Sequence, residues 1–159
     1  MVRIGLVSDT HGLLRPEALA FLAGSDAVVH AGDIGHPDIL AALRRIAPLT
    51  VVRGNNDTQD WARGLPESAL LKVGDARVLV LHDLAQLGAA GLPPGVRAVV
   101  AGHSHRPWVE WRDGVLHVNP GSAGPRRFSL PVSVAEILVD GGAWEARTVT
   151  LEVAPARGR

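Results

Sequence analysis

Short apolar runs recur along the first two thirds of the chain and predict buried β-strands. Four of the five runs are rich in valine and do not alternate clearly with polar residues, which is typical of strands covered on both faces of a parallel sheet. Segments of helical character lie between most of the runs, and this alternation predicts an α/β fold. The predicted strands cover residues 2–7, 27–29, 49–52, 77–81 and 96–101, and the predicted helices cover 16–22, 37–46 and 83–90.

A different pattern follows residue 105, where pairs of apolar runs flank tight turns. Asp113-Gly114 forms one such turn, and Asp-Gly between two apolar runs is a strong hairpin signal. Strands joined in this way are antiparallel, so the later part of the chain should add antiparallel strands to the parallel ones. The predicted hairpins, one of them earlier in the chain, join 70–73 to 77–81, 108–111 to 115–118, and 132–139 to 144–153.

Length and composition fit one globular domain. The chain has 159 residues, of which 47% are hydrophobic, and both values are ordinary for a single packed domain. We therefore predict one domain over residues 1–159, with 154–159 as a frayed tail. The 16 basic and 16 acidic residues balance to a net charge of zero. Because no broad basic surface is implied, we expect no stable complex with nucleic acid.

The absence of cysteine limits any metal site to His, Asp, Asn and Glu ligands. The first residues lack the basic and apolar segments of a signal peptide. No run approaches the ~18 apolar residues of a membrane span. We therefore expect a cytoplasmic protein that does not associate with membranes.

Each of the five predicted strands is followed by residue types that bind metal ions. In open α/β sheets ligands bind outside the carboxyl ends of the strands, so parallel strands would bring these ends to one edge. Carboxylates that converge there repel one another and lose solvation, and two divalent cations would offset that cost. A mixed set of His, Asp and Asn favours manganese, iron, zinc or nickel over calcium. The residues are Asp9, His11, Asp33, Asn55, Asp57, His82, Asp83, His103 and His105.

The order and spacing of these residues resemble the motif series of the calcineurin-like metallophosphoesterases. The segment Asn119-Pro120-Gly121-Ser122 narrows the resemblance to the small bacterial and archaeal phosphodiesterase subfamily, which also contains the phosphoesterase-fold subunit of eukaryotic retromer. The resemblance covers residues 2–138 and implies a four-layer αββα sandwich, in which helices flank two mixed β-sheets. The motifs are Asp9-Thr10-His11, Gly32-Asp33, Gly54-Asn55-x-Asp57, His82 and Gly102-His103-Ser104-His105.

The resemblance implies a centre of two divalent metal ions, with Mn²⁺ favoured and Zn²⁺, Fe²⁺ or Ni²⁺ as alternatives. In the family pattern Asp33 bridges the two ions. The catalytic set would be Asp33, Asn55, His82 and His103. The implied ligands of the first metal are Asp9, His11 and His105, and those of the second are Asn55, His82 and His103.

Such a centre implies hydrolysis of a phosphate ester. A hydroxide held between two metal ions would attack phosphorus, while the ions neutralise charge on the phosphate oxygens. The subfamily resemblance favours a small phosphodiester as the substrate. A phosphomonoesterase or nucleotide phosphatase is the alternative among enzymes, and a catalytically weak protein-interaction scaffold of the same fold is the alternative of another class. Because relatives often form dimers or larger assemblies, the resemblance also leaves open whether this chain forms a homo-oligomer.

Two positions depart from the family pattern. Asn56 stands where larger members of the superfamily carry a histidine as the acid for the leaving group, and an amide cannot act as a general acid. The proton would then come from water, or a good leaving group would need little help. His82 is followed by Asp83 and Leu84, where the family often shows His-Gly-His. This second departure leaves the conformation of that loop open, but not its first ligand.

Four residues near the motifs have an ordinary structural interpretation. His30 is expected to be a buried, hydrogen-bonded histidine, His36 a helix cap and His117 a surface residue. Asp57 fits equally well a helix N-cap and a hydrogen-bond partner that orients the ligands.

Three further features leave two interpretations open. The segment Asn119–Ser122 favours a plain turn over a set of backbone N–H donors aimed at the site. Trp61 fits both a pocket wall and ordinary packing. Contact of Arg126 and Arg127 with a substrate phosphate is the less favoured interpretation, since exposed arginines rarely have such a role. No basic pocket for a dianionic phosphate is evident from the sequence, which weakly favours a diester.

Overall fold

Ten β-strands and two α-helices form within residues 1–89, 91–127 and 129–153, the part of the chain that this computed structural model describes. The helices are α1 (Pro16–Leu22) and α2 (Pro37–Arg44). The strands are β1 (Val2–Val7), β2 (Ala27–His30), β3 (Leu49–Val51), β4 (Ser68–Val73), β5 (Ala76–Leu81), β6 (Val96–Val100), β7 (Trp108–Arg112), β8 (Val115–Asn119), β9 (Ser133–Asp140) and β10 (Ala143–Thr150).

The strands form two mixed five-stranded sheets, which confirms the predicted sheet architecture. Sheet 1 has the order β10-β9-β1-β2-β3, and sheet 2 has the order β4-β5-β6-β8-β7. Strands β1, β2 and β3 run parallel, as do β5, β6 and β8, and the remaining pairs are antiparallel. All three predicted hairpins form, between β4 and β5, β7 and β8, and β9 and β10.

Apolar side chains from both sheets meet in one core between them. Leu6 of β1 belongs to the same buried cluster as Val80 of β5 and Val100 of β6. The other face of sheet 1 packs on the two helices, where Leu22 and Leu43 are fully buried. Strands covered on both faces explain the continuous valine runs in the sequence. No helix among the described residues is long and apolar enough to cross a bilayer.

The predicted helix over 83–90 is wrong in type and extent. The structure has a short 3-10 helix, Leu84–Leu87, on the outer face of sheet 2. Asp83 caps it, since its carboxylate accepts from the Ala85 N–H while the Gln86 side chain accepts from the Asp83 N–H. Gly88 follows with φ 62°, outside the helical region. The final predicted residue, 90, lies outside the described residues, as does the predicted tail 154–159.

The expectation that His117 lies at the surface is also wrong. His117 on β8 is only 7% exposed, and its ring stacks on that of Trp108 from the edge strand β7. Burial lowers the pKa of His117, which keeps the ring neutral at pH 7. Hairpin strands commonly have one solvated face, but here a large aromatic neighbour covers the histidine.

Glu136 is a buried carboxylate in the middle of sheet 1 that lies between two arginines. Arg3 Nε donates to Glu136 Oε1 over 2.6 Å, and Arg147 Nε donates to Oε2 over 2.5 Å. Burial alone would raise the pKa of Glu136, but the two guanidinium groups lower it overall. The carboxylate therefore stays ionised and joins β1, β9 and β10.

Candidate metal centre

The candidate ligands come from loops that follow strands in both sheets. The loops after β1, β2 and β3 belong to sheet 1, and those after β5 and β6 belong to sheet 2. The sequence predicted that parallel strands would bring the five ends to one edge, and the structure divides these strands between two facing sheets. A hydrogen bond across the sheets, from His103 N–H to Asp9 Oδ2 over 3.1 Å, holds the two groups of loops together.

Backbone strain is concentrated at these residues. Among the described non-glycine residues, six have positive φ, and five of these six are candidate ligands. The sixth, Asp113, lies in the turn between β7 and β8. Left-handed backbone at residues other than glycine is costly and tends to cluster at functional sites. The five φ values are 54° at Asp9, 45° at His11, 56° at Asp33, 71° at His103 and 63° at His105.

The first group of ligand atoms surrounds Asp9, which is fully buried. Asp9 Oδ1 lies 3.2 Å from His105 Nε2 and 3.7 Å from His11 Nε2. Burial alone would raise the pKa of Asp9, but the nearby imidazoles of His105 and His11 and the Ser8 hydroxyl lower it overall. Asp9 is therefore a carboxylate with imidazole nitrogens directed at one oxygen.

His82 directs its Nε2 nitrogen at the second group. Its Nδ1 lies 2.7 Å from the carbonyl oxygen of Ala31, which only accepts, so Nδ1 carries the hydrogen. The remaining nitrogen, Nε2, lies 3.3 Å from Asp33 Oδ2 and 3.3 Å from His103 Nδ1. Burial would lower the pKa of His82, but Asp33 and the Ala31 carbonyl raise it overall. A cation, either a proton or a metal ion, is needed between these electron-rich atoms.

Asp33 lies between the two groups. Its Oδ2 is 3.7 Å from His11 Nε2 and 3.3 Å from His82 Nε2. The Asn56 amide donates to Oδ2 and the Asn56 backbone N–H donates to Oδ1, each over 2.9 Å. Burial would raise the pKa of Asp33, but His82 and Asn56 lower it overall. Asn56 therefore orients Asp33, a role that the sequence interpretation of Asn56 missed.

Two compact sets of potential ligand atoms result, and Asp9 belongs to both. One set is Asp9, His11 and His105, and the other is Asp9, Asp33 and His82. The structure therefore brings five of the seven predicted ligands together within these sets. Of the other two, His103 contacts His82 through its Nδ1, and Asn55 lines a pocket together with both histidines. Assignment of each ligand to a particular metal remains a prediction.

Asp57 braces the loops that carry the ligands, which decides between its two interpretations. Its carboxylate accepts hydrogen bonds from the backbone N–H groups of Ile34, Gly35 and Gly54 over 2.8–3.3 Å. The nearby 3-10 helix, Asp60–Ala62, begins after Gln59, so Asp57 is not its N-cap. One buried carboxylate thus joins the loop after β2 to the loop after β3.

The segment Asn119–Ser122 also braces the centre, but through side chains rather than backbone donors. Asn119 Nδ2 donates to the Gly102 carbonyl over 3.0 Å and to Ser104 Oγ over 3.1 Å. Ser122 Oγ donates to the carbonyl oxygen of Asp9 over 2.9 Å. These bonds hold the backbone on either side of His103 and at Asp9.

His30 is the buried, hydrogen-bonded histidine that the sequence predicted. Its Nδ1 accepts from the Gly32 N–H over 3.0 Å, so Nε2 carries the hydrogen and donates to Thr10 Oγ1 over 2.9 Å. Burial lowers the pKa of His30 to about 4, which keeps the ring neutral. His36 caps α2 as expected, since its Nδ1 accepts from the Asp38 N–H.

A pocket lies beside the candidate centre and is lined in part by Asn55, His82 and His103. Its lining does not include Trp61, Arg126 or Arg127, whose roles the sequence left open. Trp61 packs with the buried cluster beneath α2 and donates from Nε1 to Gln59, which supports ordinary packing. Arg126 and Arg127 are exposed. By contrast, Arg53 and Arg63 do line the pocket, and the sequence interpretation had singled out neither of them. The position of Arg53 directly before Gly54-Asn55 was the available signal.

Unpaired buried atoms indicate that the centre is built for a cation. Asp9 Oδ1 and His11 Nε2 are buried without a hydrogen-bond partner among the described residues. Buried polar groups left in this way are costly, whereas a divalent ion coordinated by oxygen and imidazole nitrogen would satisfy both. The donor set and the strained backbone therefore fit a metal centre.

Comparison with known proteins establishes the family. The sequence pattern described as the calcineurin-like phosphoesterase superfamily domain matches residues 2–142. The chain belongs to this superfamily. It is 35% identical over 159 residues to a probable metallophosphoesterase of Methanothermobacter thermautotrophicus, an alignment that covers 92% of this chain and 91% of the relative. The resemblance noted from the motifs is thereby confirmed.

Solved structures agree with the phosphoesterase fold. A structure described as a novel archaeal phosphodiesterase is 20% identical with a TM-score of 0.74, covering 93% of this chain and 100% of that one. Vps29 from Entamoeba histolytica in complex with zinc is 20% identical with a TM-score of 0.71, covering 94% and 99%. At these identities the likeness supports the fold alone.

Proposed function

We propose that this phosphoesterase-superfamily protein is a phosphodiesterase that requires two divalent metal ions. The observation that carries the proposal is the contact of His82 Nε2 with Asp33 Oδ2 at 3.3 Å, where an imidazole nitrogen faces a carboxylate. The unpaired buried atoms of Asp9 and His11 support a second ion nearby. The proposed ligands are Asp9, His11, Asp33, Asn55, His82, His103 and His105.

The charge of this set suits a phosphate substrate. Two divalent ions bring four positive charges, and Asp9 and Asp33 offset two of them, since the other ligands are neutral. The remaining positive charge would attract an anionic phosphate ester and stabilise the more negative transition state. When bound, the two ions would also lower the pKa of a shared water molecule, so that it becomes the nucleophile at neutral pH.

The protein's own residues position this chemistry. Asn56 fixes Asp33 through two hydrogen bonds, and His82 is fixed by the Ala31 carbonyl. Carbonyl and amide partners of this kind orient metal ligands and set their tautomers. Because the Asn56 amide cannot give up a proton, we propose that the departing alkoxide takes its proton from solvent. This favours esters whose leaving group is already acidic.

Manganese is our proposed native metal, because the mixed oxygen and nitrogen ligands suit it. The same set would also suit zinc, the ion named with Vps29 of Entamoeba histolytica. The diester preference is supported by the motif resemblance to the phosphodiesterase subfamily and by the lining of the pocket beside the centre, in which carboxylates outnumber arginines.

The test is hydrolysis of bis-para-nitrophenyl phosphate and para-nitrophenyl phosphate by metal-stripped protein, before and after addition of Mn²⁺. We expect no activity without metal, activity after addition, and a higher kcat/KM for the diester. Titration calorimetry should show two ions bound per chain. Binding of two ions without hydrolysis of either ester would contradict the enzyme proposal and favour a scaffold. A preference for the monoester would refute only the diester assignment.

A further inference from the structure

A pocket of about 590 Å³ adjoins the candidate metal centre. Three proposed ligands, Asn55, His82 and His103, form part of its lining, so a phosphate bound at the centre would project a substituent into it. The volume falls within the ~300–1,000 Å³ of typical small-molecule sites and exceeds the needs of the phosphate itself. A smaller cavity of about 190 Å³ also touches His103. The larger organic arm of a diester therefore belongs in the larger pocket.

An ion pair between Arg53 and Glu67 lies at the wall of the pocket. Arg53 Nη2 donates to Glu67 Oε1 over 3.0 Å, and the Arg53 side chain is 30% exposed. Arg53 directly precedes the ligand loop, whereas Glu67 lies just before β4. The other lining arginine, Arg63, pairs with Asp60 over 3.2 Å, and Glu67 and Asp83 are the lining carboxylates with exposed side chains.

The charges of these lining residues determine which substituent the pocket accepts. A second phosphate on the organic arm would meet two arginines that are already paired and the carboxylates of Glu67 and Asp83. A neutral polar arm would instead meet Thr58, Gln86 and the N–H groups of Arg53 that do not face Glu67. Repulsion between the added phosphate and these carboxylates would lower the affinity for the substrate even in a partly solvated pocket.

We propose that this pocket selects phosphodiesters whose larger arm is polar but carries no further charge, such as a nucleoside or sugar. Glu67 is the residue that sets this specificity, because it neutralises Arg53. The inference rests on the proposed phosphodiesterase function and adds the class of substrate to it.

The test compares three para-nitrophenyl phosphodiesters on the Mn²⁺-loaded protein. One has a methyl group as its second arm, one a nucleoside, and one the same nucleoside with an additional phosphate on its sugar. We expect the parent protein to prefer the uncharged nucleoside over the phosphorylated one by about tenfold in kcat/KM. Glu67→Gln should reduce that preference by about fivefold, since it removes one unit charge near the surface. The smaller methyl diester should respond much less.

Two further variants test whether the change in substrate preference comes from the Arg53–Glu67 pair. Glu110→Gln breaks a similar exposed pair, Arg112 with Glu110 at 2.9 Å on β7, and should leave the preference unchanged. In an Arg53→Gln background, Glu67→Gln should have a smaller effect, because the arginine that would pair with the additional phosphate is gone. A preference within twofold of the parent in Glu67→Gln would overturn the specificity proposal while hydrolysis of the methyl diester still supports the proposed function. Failure to hydrolyse any of the three diesters would overturn both.

Discussion

Asp57→Asn should destabilise the protein strongly, although Asp57 is not a proposed metal ligand. The carboxylate is 4% exposed, and its two oxygens accept from three backbone N–H groups on two loops. An Asn side chain keeps one acceptor oxygen and turns its NH₂ group towards N–H donors. Leaving one buried N–H unpaired costs ~1–3 kcal/mol, and weakening the other bonds from charged to neutral costs about 1 kcal/mol more. The expected loss is about 3 kcal/mol.

This loss should appear in both denaturant and thermal unfolding of the metal-free protein. In a domain of this length, 1 kcal/mol corresponds to ~2–4 °C in Tm, so Asp57→Asn should lower Tm by about 6–12 °C. The matched control is Asp60→Asn, three residues later, because the Asp60 side chain is 90% exposed and its ion pair is worth ~0–1 kcal/mol.

Metal binding provides the second measurement. The loops that Asp57 braces carry Asp33 and Asn55, so we expect Mn²⁺ affinity to fall by about 10–100-fold in Asp57→Asn. A destabilisation below about 1 kcal/mol together with unchanged metal affinity would refute the bracing role. The hydrogen bonds from Ile34, Gly35 and Gly54 would then contribute little to holding the ligand loops.

Three other changes test separate parts of the structure. Asp33→Asn should lower kcat/KM by at least about 100-fold, whereas His30→Ala should lower it by less than about tenfold. The reason is that Asp33, unlike His30, contacts a histidine of each ligand group. Equal losses would contradict the assignment of Asp33 as the bridging ligand. Glu136→Gln should cost about 2 kcal/mol at pH 7. Because the pKa of Glu136 is lowered in the folded protein, its stabilising effect is complete above the ordinary carboxyl range and is lost as the pH falls through its folded-state pKa. The free energies of urea unfolding of variant and parent should therefore converge in acid. Gly102→Ala should weaken Mn²⁺ binding in calorimetry, because an added methyl group would clash with Ser8 and Asp9.

Most of the scaffold was predictable from local sequence patterns. Valine runs covered on both faces, Asp-Gly and Gly-Asp turns, and proline at helix starts act over a few neighbouring residues. Both helices begin at the predicted residues 16 and 37, and the three hairpins form at the predicted turns. The failure at 83–90 is instructive, because the capping signal at Asp83 is real but supports only one short turn before Gly88.

The candidate ligands were also predictable, but their arrangement was not. Residue types and spacing identify Asp9, His11 and the other motif positions, because metal chemistry restricts which side chains can serve. The sequence alone did not show that Asn56 holds Asp33 or that Asp57 joins two loops. Each of those hydrogen bonds links residues that are not neighbours along the chain.

Only the tertiary structure decided which groups meet across the two sheets. The pairing of Arg53 with Glu67 and the burial of His117 beneath Trp108 depend on distances between separate loops and strands. Local propensity acts through backbone sterics and hydrogen bonds within a few residues, whereas these contacts depend on how two twisted sheets pack. The sequence by itself therefore determined the strands, turns and chemical types at the site, and packing determined their partners, charge state and pocket.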